Sequence, residues 1–236
     1  MPFLFVRRKE MQKLNLQLFG GRGANSGYAG GRSTGGGSRG VSRFYDKTKE
    51  FKGMSIHEFE NAIRDKKTEY IGIFDKDGNL IVAGTSNNKG SVAIPSNAPG
   101  FKNGYTLTHN HPYDGGRIIG GSFSEADVQN HLALRFKGET RAVTNGPNEN
   151  TYIFRAKRGV KQNSAKMSTA AAKVGSQYPS EAKKTLTRVK NRLAKQGKSL
   201  NGKDNQVYIG TAKRLWKKAN VERYGYEYIN VTKKRW

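Results

Sequence analysis

Apolar residues recur along this chain at two periods. Ile56, Phe59, Ala62 and Ile63 fall at helical spacing behind Ser55, which forms a capping box with Glu58, so a helix with one buried stripe is predicted there. Two strand-like runs follow, Glu69 to Phe74 and Leu80 to Gly84, joined by Asp75-Lys76-Asp77-Gly78-Asn79, whose Asp-Gly and Asn suit a hairpin turn. Further strands are predicted at Ser91 to Ile94, Tyr105 to Thr108, Arg141 to Thr144 and Thr151 to Arg155, with a helix from Glu125 to Phe136. This order predicts an α+β (mixed α/β) domain over residues 55–155, a normal length for a unit with its own core. Beyond it, Ser164 to Gly175 is small and Ala-rich, and Pro179-Ser180-Glu181 opens a predicted helix to Gln196 with a thin stripe of Leu186, Val189 and Leu193. A second helix is predicted at Thr211 to Val221, anchored by Leu215 and Trp216, and a strand at Tyr226 to Val231.

Composition changes the picture at the N-terminal end. Residues 20–40 hold 10 Gly in 21 positions, interleaved with Arg22, Arg32 and Arg39, so ordering them costs too much entropy and residues 1–54 read as a flexible arm. That arm is either a solvated tether or an Arg-bearing nucleic-acid element. Only 34% of the 236 residues are hydrophobic, too few for one compact core over the full length. Cysteine is absent, which excludes disulfides and thiolate sites and leaves His, Asp and Glu as metal ligands. Phe3-Leu4-Phe5-Val6 is too short for a signal-peptide core, and no apolar run approaches the roughly 20 residues of a membrane span, so a soluble protein is expected, starting at Met1 or Met11. The Asp75-x-Asp77-x-Asn79 run lacks the remaining ligands of a calcium loop.

Charge sets the expected partner. The net charge is +25, and Arg155 to Trp236 alone carries 22 Lys and Arg against 4 Asp and Glu. Opposite charges are too sparse there to lace the excess, so the alternative to a solvated face is a polyanion. Residues 156–236 are therefore expected to form a basic, mainly helical region that binds DNA by its phosphates without sequence preference. The expected contacts are Lys183, Lys184, Arg188, Lys190, Arg192 and Lys195 on the first helix and Lys213, Arg214, Lys217 and Lys218 on the second. Trp216, Tyr224, Tyr226 and Tyr228 lie among these bases, either to stack on nucleobases or to form a small core.

Candidate chemistry concentrates in one stretch, His109-Asn110-His111-Pro112 followed by Ser124-Glu125-Ala126-Asp127. In an extended segment His109 and His111 point the same way and can share a metal, while Asn110 points away. Asp127, in the first turn of the predicted helix, can reach back towards that strand end. Two imidazoles and a carboxylate with one open position make a common catalytic zinc arrangement. Two simpler readings stand beside it: Ser124-x-x-Asp127 is also a capping box, and Asn110-His111 before Pro112 is also a turn.

These residues resemble the JAMM (MPN) metallopeptidase motif, an upstream Glu, then H-x-H, then S-x-x-D, and the proline after the second His resembles its RadC-like branch. The resemblance implies zinc held by His109, His111 and Asp127, with Ser124 steadying the oxyanion. It also implies a general-base Glu just before the first core strand, a position best matched by Glu69; Glu58 and Glu60 match less well because both fall on the preceding helix. The 12 residues between His111 and Ser124 exceed the family's usual spacing, and Asp114 to Gly121 reads as a loop insertion. His57 and His131 read as helix-surface or core-edge residues.

A second resemblance covers about ten residues: Leu14 to Gly23 is similar to the opening of many tailed-phage head-associated proteins. Together these features lead to the expectation of a virion minor head or ejection-type protein, located in the virion head and host cytoplasm, that binds DNA and carries a JAMM-like domain. Portal or head proteins are the implied protein partners. The rivals are an active zinc isopeptidase or peptidase localised on nucleic acid and a metal-dependent nuclease.

Overall fold

The computed structural model describes residues 17–19, 43–93, 104–112, 122–134, 136–144, 150–201 and 204–232. Nine strands are present among them: β1 (Gln17–Phe19), β2 (Tyr45–Asp46), β3 (Tyr70–Phe74), β4 (Leu80–Thr85), β5 (Ser91–Ala93), β6 (Thr106–His111), β7 (Glu139–Thr144), β8 (Asn150–Ala156) and β9 (Tyr226–Thr232). Four α-helices accompany them: α1 (Ile56–Arg64), α2 (Glu125–Ala133), α3 (Ser164–Ala194) and α4 (Asp204–Ala219). The protein is thus mixed α+β, as expected. No helix among the described residues is long and apolar enough to cross a membrane.

One seven-stranded sheet dominates, in the order β2-β4-β3-β6-β7-β8-β9. Every neighbouring pair is antiparallel except β6–β7, which runs parallel through the α2 crossover. Helix α1 covers one face, burying Phe59 and Ile63 with Phe74, Ala83 and Val143. Gly72 lets it approach: a Cβ there would stand 2.5 Å from the Phe59 ring. Helices α2, α3 and α4 cover the other face, where Val128, Met167, Ala171, Val174, Leu215 and Trp216 pack on Ala142, Tyr152 and Phe154. His131 is buried in this layer, with Nδ1 2.8 Å from Thr140 Oγ1, and burial pushes its ring down to about 3. His57 lies exposed on α1.

Several expectations are corrected. Order does not begin near residue 55, because β2 pairs with β4 and Phe51 is buried against α1. The basic segment 156–236 does not stand apart from residues 55–155: β9 pairs with β8 along its whole length, and α3 and α4 supply five of the thirteen buried residues of the larger core. α3 does not begin at Pro179 but runs through it, held before the proline by Met167, Ala171 and Val174 and after it by buried Ala182. Packing on both sides outweighs the hydrogen bond that proline cannot donate. α2 ends at Ala133 and not at Phe136, and α4 spans Asp204–Ala219, with a 3-10 turn at Val221–Tyr224. β5 leaves the main sheet and pairs with β1, although Val92 still packs on Ile71 and Leu107. The Gly-rich stretch 20–40 and the proposed insertion 114–121 lie outside the described residues.

Candidate metal centre

The centre lies at the carboxyl end of β6, where the sheet passes from antiparallel to parallel pairing. Alternation along β6 puts His109 and His111 on the face covered by α2. The β3–β6 register, with Ile71 opposite His109, puts Glu69 opposite His111 on that same face. His109 Nε2 and His111 Nε2 approach to 3.0 Å, Asp127 Oδ1 lies 3.3 Å from the first, and Asp127 Oδ2 lies 3.4 Å from the second. Glu69, His109 and His111 each offer a ligand atom within 4.8 Å of the others. All four side chains are at most 1% exposed.

Each group is held by its backbone surroundings. Asp127 is at once the third helical residue of α2 and a site residue: Ser124 N–H donates to its Oδ2 at 2.7 Å, while Ser124 Oγ accepts from Asp127 N–H at 3.2 Å. Capping and site-building are therefore both fulfilled by the same carboxylate. Its other oxygen, Oδ1, is buried and faces His109 Nε2 at 3.3 Å. Trp216 Nε1 donates to Phe123 O at 3.0 Å, so α4 anchors the segment that presents Ser124.

Glu69 is fixed just before β3. Its N–H donates to Asn88 O at 2.8 Å, and Thr85 Oγ1 donates to its carbonyl at 2.7 Å. Asn110 completes the support from the opposite face of β6, a role that the sequence reading missed. Its Oδ1 accepts from Tyr70 N–H at 2.6 Å, and its Nδ2 donates to Thr68 O at 3.1 Å and Lys66 O at 3.4 Å. The signal was present in the alternation itself, since a residue between two ligands must face away from them. Asn110→Ala is expected to lower stability by about 1–3 kcal/mol, because it leaves the half-buried Tyr70 N–H and Thr68 carbonyl unmatched. Urea unfolding measures this, and a loss below about 1 kcal/mol would mean that other contacts hold the 66–70 turn.

The other glutamates are occupied elsewhere. Glu58 closes the capping box at Ser55 and is exposed. Glu60 is buried on the α1 face, where Arg141 grips it at 2.5 and 3.0 Å and Thr108 Oγ1 donates to it at 3.0 Å.

The electrostatics fit a cation. Burial opposes charge on Asp127, but the adjacent His109 ring and hydrogen bonds from both rings hold its carboxyl well below the usual carboxylate range. Burial likewise pushes His109 down, with the Asp127 carboxylate working in the other direction. A neutral imidazole beside an ionised carboxylate is the donor state that a divalent ion requires. Tetrahedral ligands at about 2.0–2.1 Å from a metal stand about 3.3 Å apart, close to the spacings found here. The Glu69, His109 and His111 group can hold a metal ion.

The expected DNA contacts sort differently. Lys183, Lys184, Arg188, Lys190 and Arg192 are exposed on α3 and Lys195 at its C-cap, and Arg214, Lys217 and Lys218 are exposed on α4. Lys213 is turned inward: it is half-buried, with Nζ 3.5 Å from Asn150 Oδ1 and over the Tyr152 ring. The aromatic candidates form core, since Trp216, Tyr224 and Tyr226 are buried and Tyr228 stacks on Trp216. Among known proteins, no family model, no curated protein and no solved structure matches this chain.

Proposed function

We infer that the protein is a zinc-dependent hydrolase of amide or isopeptide bonds, built on a JAMM-like, RadC-like site. The observation carrying this reading is the convergence of two imidazole Nε2 atoms and one carboxylate at 3.0–3.4 Å, with Glu69 beside them. His109, His111 and Asp127 would hold the ion. When bound, zinc supplies Lewis-acid polarisation of a carbonyl and a more acidic water. Glu69, placed opposite His111 by strand register, serves as the general base, taking a proton from the attacking water and returning it to the leaving amine. The Ser124 hydroxyl, held at the N-terminus of α2, donates to the developing oxyanion, where the helix dipole adds to its effect.

The test uses zinc-loaded protein and an internally quenched peptide library. Glu69→Gln is expected to bind zinc with wild-type stoichiometry while kcat/KM falls at least about 100-fold, the usual scale for loss of a general base. Equal turnover by this variant would remove Glu69 from the role.

One observation favours a second reading. Side chains at most 1% exposed suit a metal that supports folding, in a DNA-associated virion head or ejection-type protein without turnover. Zinc bound by wild-type protein that cleaves no peptide would select it. The phage resemblance at residues 14–23 falls mostly outside the described residues. For the nuclease rival, the Asn of His109-Asn110-His111 faces away from the site and is consumed by backbone hydrogen bonds.

A further inference from the structure

The outer face of α3 over its last turns is unusual in composition. Lys183, Lys184, Thr187, Arg188, Asn191, Arg192 and Lys195 line one shallow groove there, five cations and two neutral hydrogen-bonding groups with no acid. Their spacing keeps them on one side of the helix, while Leu186, Val189 and Leu193 are half-buried. Lys183, Arg188, Arg192 and Lys195 make no ion pair among the described residues. Lys184 meets Glu181 only at 3.7 Å and stays exposed, whereas the neighbouring charges outside the groove are taken: Lys190 pairs with Asp204 at 3.1 Å, and Arg214 with Glu181 at 3.0 Å.

We propose that this face of α3 is a docking surface for the phosphate backbone of duplex DNA. Lys183 to Lys195 spans about 18 Å at the rise of an α-helix. One strand of B-DNA presents a phosphate about every 3.4 Å along its axis, so that length faces about five phosphates, matching the five cations. Single-stranded nucleic acid is disfavoured because the groove carries no aromatic platform and the nearby aromatic side chains are packed in the core. A membrane surface is disfavoured because an interfacial helix needs an apolar face to insert, and this groove has no apolar residue.

The surface also has a fixed relation to the metal centre. α3 passes so close to α2 at Gly175 that a Cβ there would collide with the Glu125 carboxylate, two residues before Asp127. Lys183 follows two turns later, about 12 Å along the helix axis. A docked duplex therefore lies on a helix packed directly against α2, the element that carries Asp127. The docking itself does not depend on the hydrolase reading.

The experiment is fluorescence anisotropy with a labelled 20-base-pair duplex, titrated with NaCl, in two unrelated sequences. Wild-type protein is expected to bind both equally, with a log-log salt slope of about −4 to −5. Arg188→Ala/Arg192→Ala/Lys195→Ala is expected to bind at least tenfold more weakly, with the slope reduced by about 2.7. Lys52→Ala/Lys67→Ala/Lys76→Ala removes the same charge from exposed positions elsewhere and is expected to leave the slope unchanged. Thermal melts of both variants should match wild type, since none of the six side chains is buried. The proposal is overturned if both triples weaken binding alike, or if the α3 triple keeps the wild-type slope. Binding to phosphatidylserine vesicles without binding to duplex would overturn it as well.

Discussion

Purified protein is expected to carry one zinc per chain, and the His109→Ala/His111→Ala variant less than one-tenth of that. The substitutions remove both Nε2 donors and leave the Asp127 carboxylate buried without the rings that favour its ionised form. Such a carboxylate protonates instead, and a protonated acid is a poor ligand. The loss should also appear as stability: a ligand held at a thousand times its dissociation constant contributes about 4 kcal/mol. Elemental analysis with thermal melts before and after chelation measures both effects. Stoichiometric zinc in the double variant would place the ion elsewhere, and unchanged melting after chelation would show that the fold does not depend on it.

Truncation after Arg155 is expected to abolish cooperative folding. The deletion removes β9, whose register runs from Tyr226 opposite Ala156 to Thr232 opposite Asn150, and turns the interior strand β8 into an open edge. It also uncovers Phe123, Val128, Tyr152 and Phe154 by taking away Met167, Val174, Leu215, Trp216 and Tyr226. At about 1.5–3 kcal/mol for each large side chain, the lost burial matches the whole stability of an ordinary domain. Near-UV circular dichroism with urea unfolding decides the matter. A fragment with a native spectrum and a sharp transition would restore the boundary at residue 155.

The same element shows what sequence reading reaches. Both capping boxes, at Ser55 and Ser124, are present, because cap chemistry is decided within four residues. The hairpin around Asp75 to Asn79 is equally local, whereas the strand read as Tyr105 to Thr108 runs on through His111, and Glu69 offers a ligand atom within 4.8 Å of those of both rings. Tyr226 to Val231 was legible as a strand, but its partner was not, since pairing with β8 is set by packing across α3 and α4. Strong positive charge suggested a separate region, yet it resides on the solvent side of helices whose inner sides complete the core. Pro179 misled for a related reason: a local breaker signal was overruled by contacts on both sides of it. The Glu60–Arg141 ion pair and the Asn110 brace also escaped, because each joins elements far apart in sequence.

The double duty of the Asp127 carboxylate ties ion occupancy to the local opening of α2. Its Oδ2 caps the helix through Ser124 N–H and also lies against His111, while Oδ1 faces His109, so a cation in the site pins the first turn. Amide hydrogen exchange at Ser124 and Asp127 then becomes a gauge of metal loading, slow when the ion is bound and faster once it leaves, while the amides of β7 and β8 stay protected.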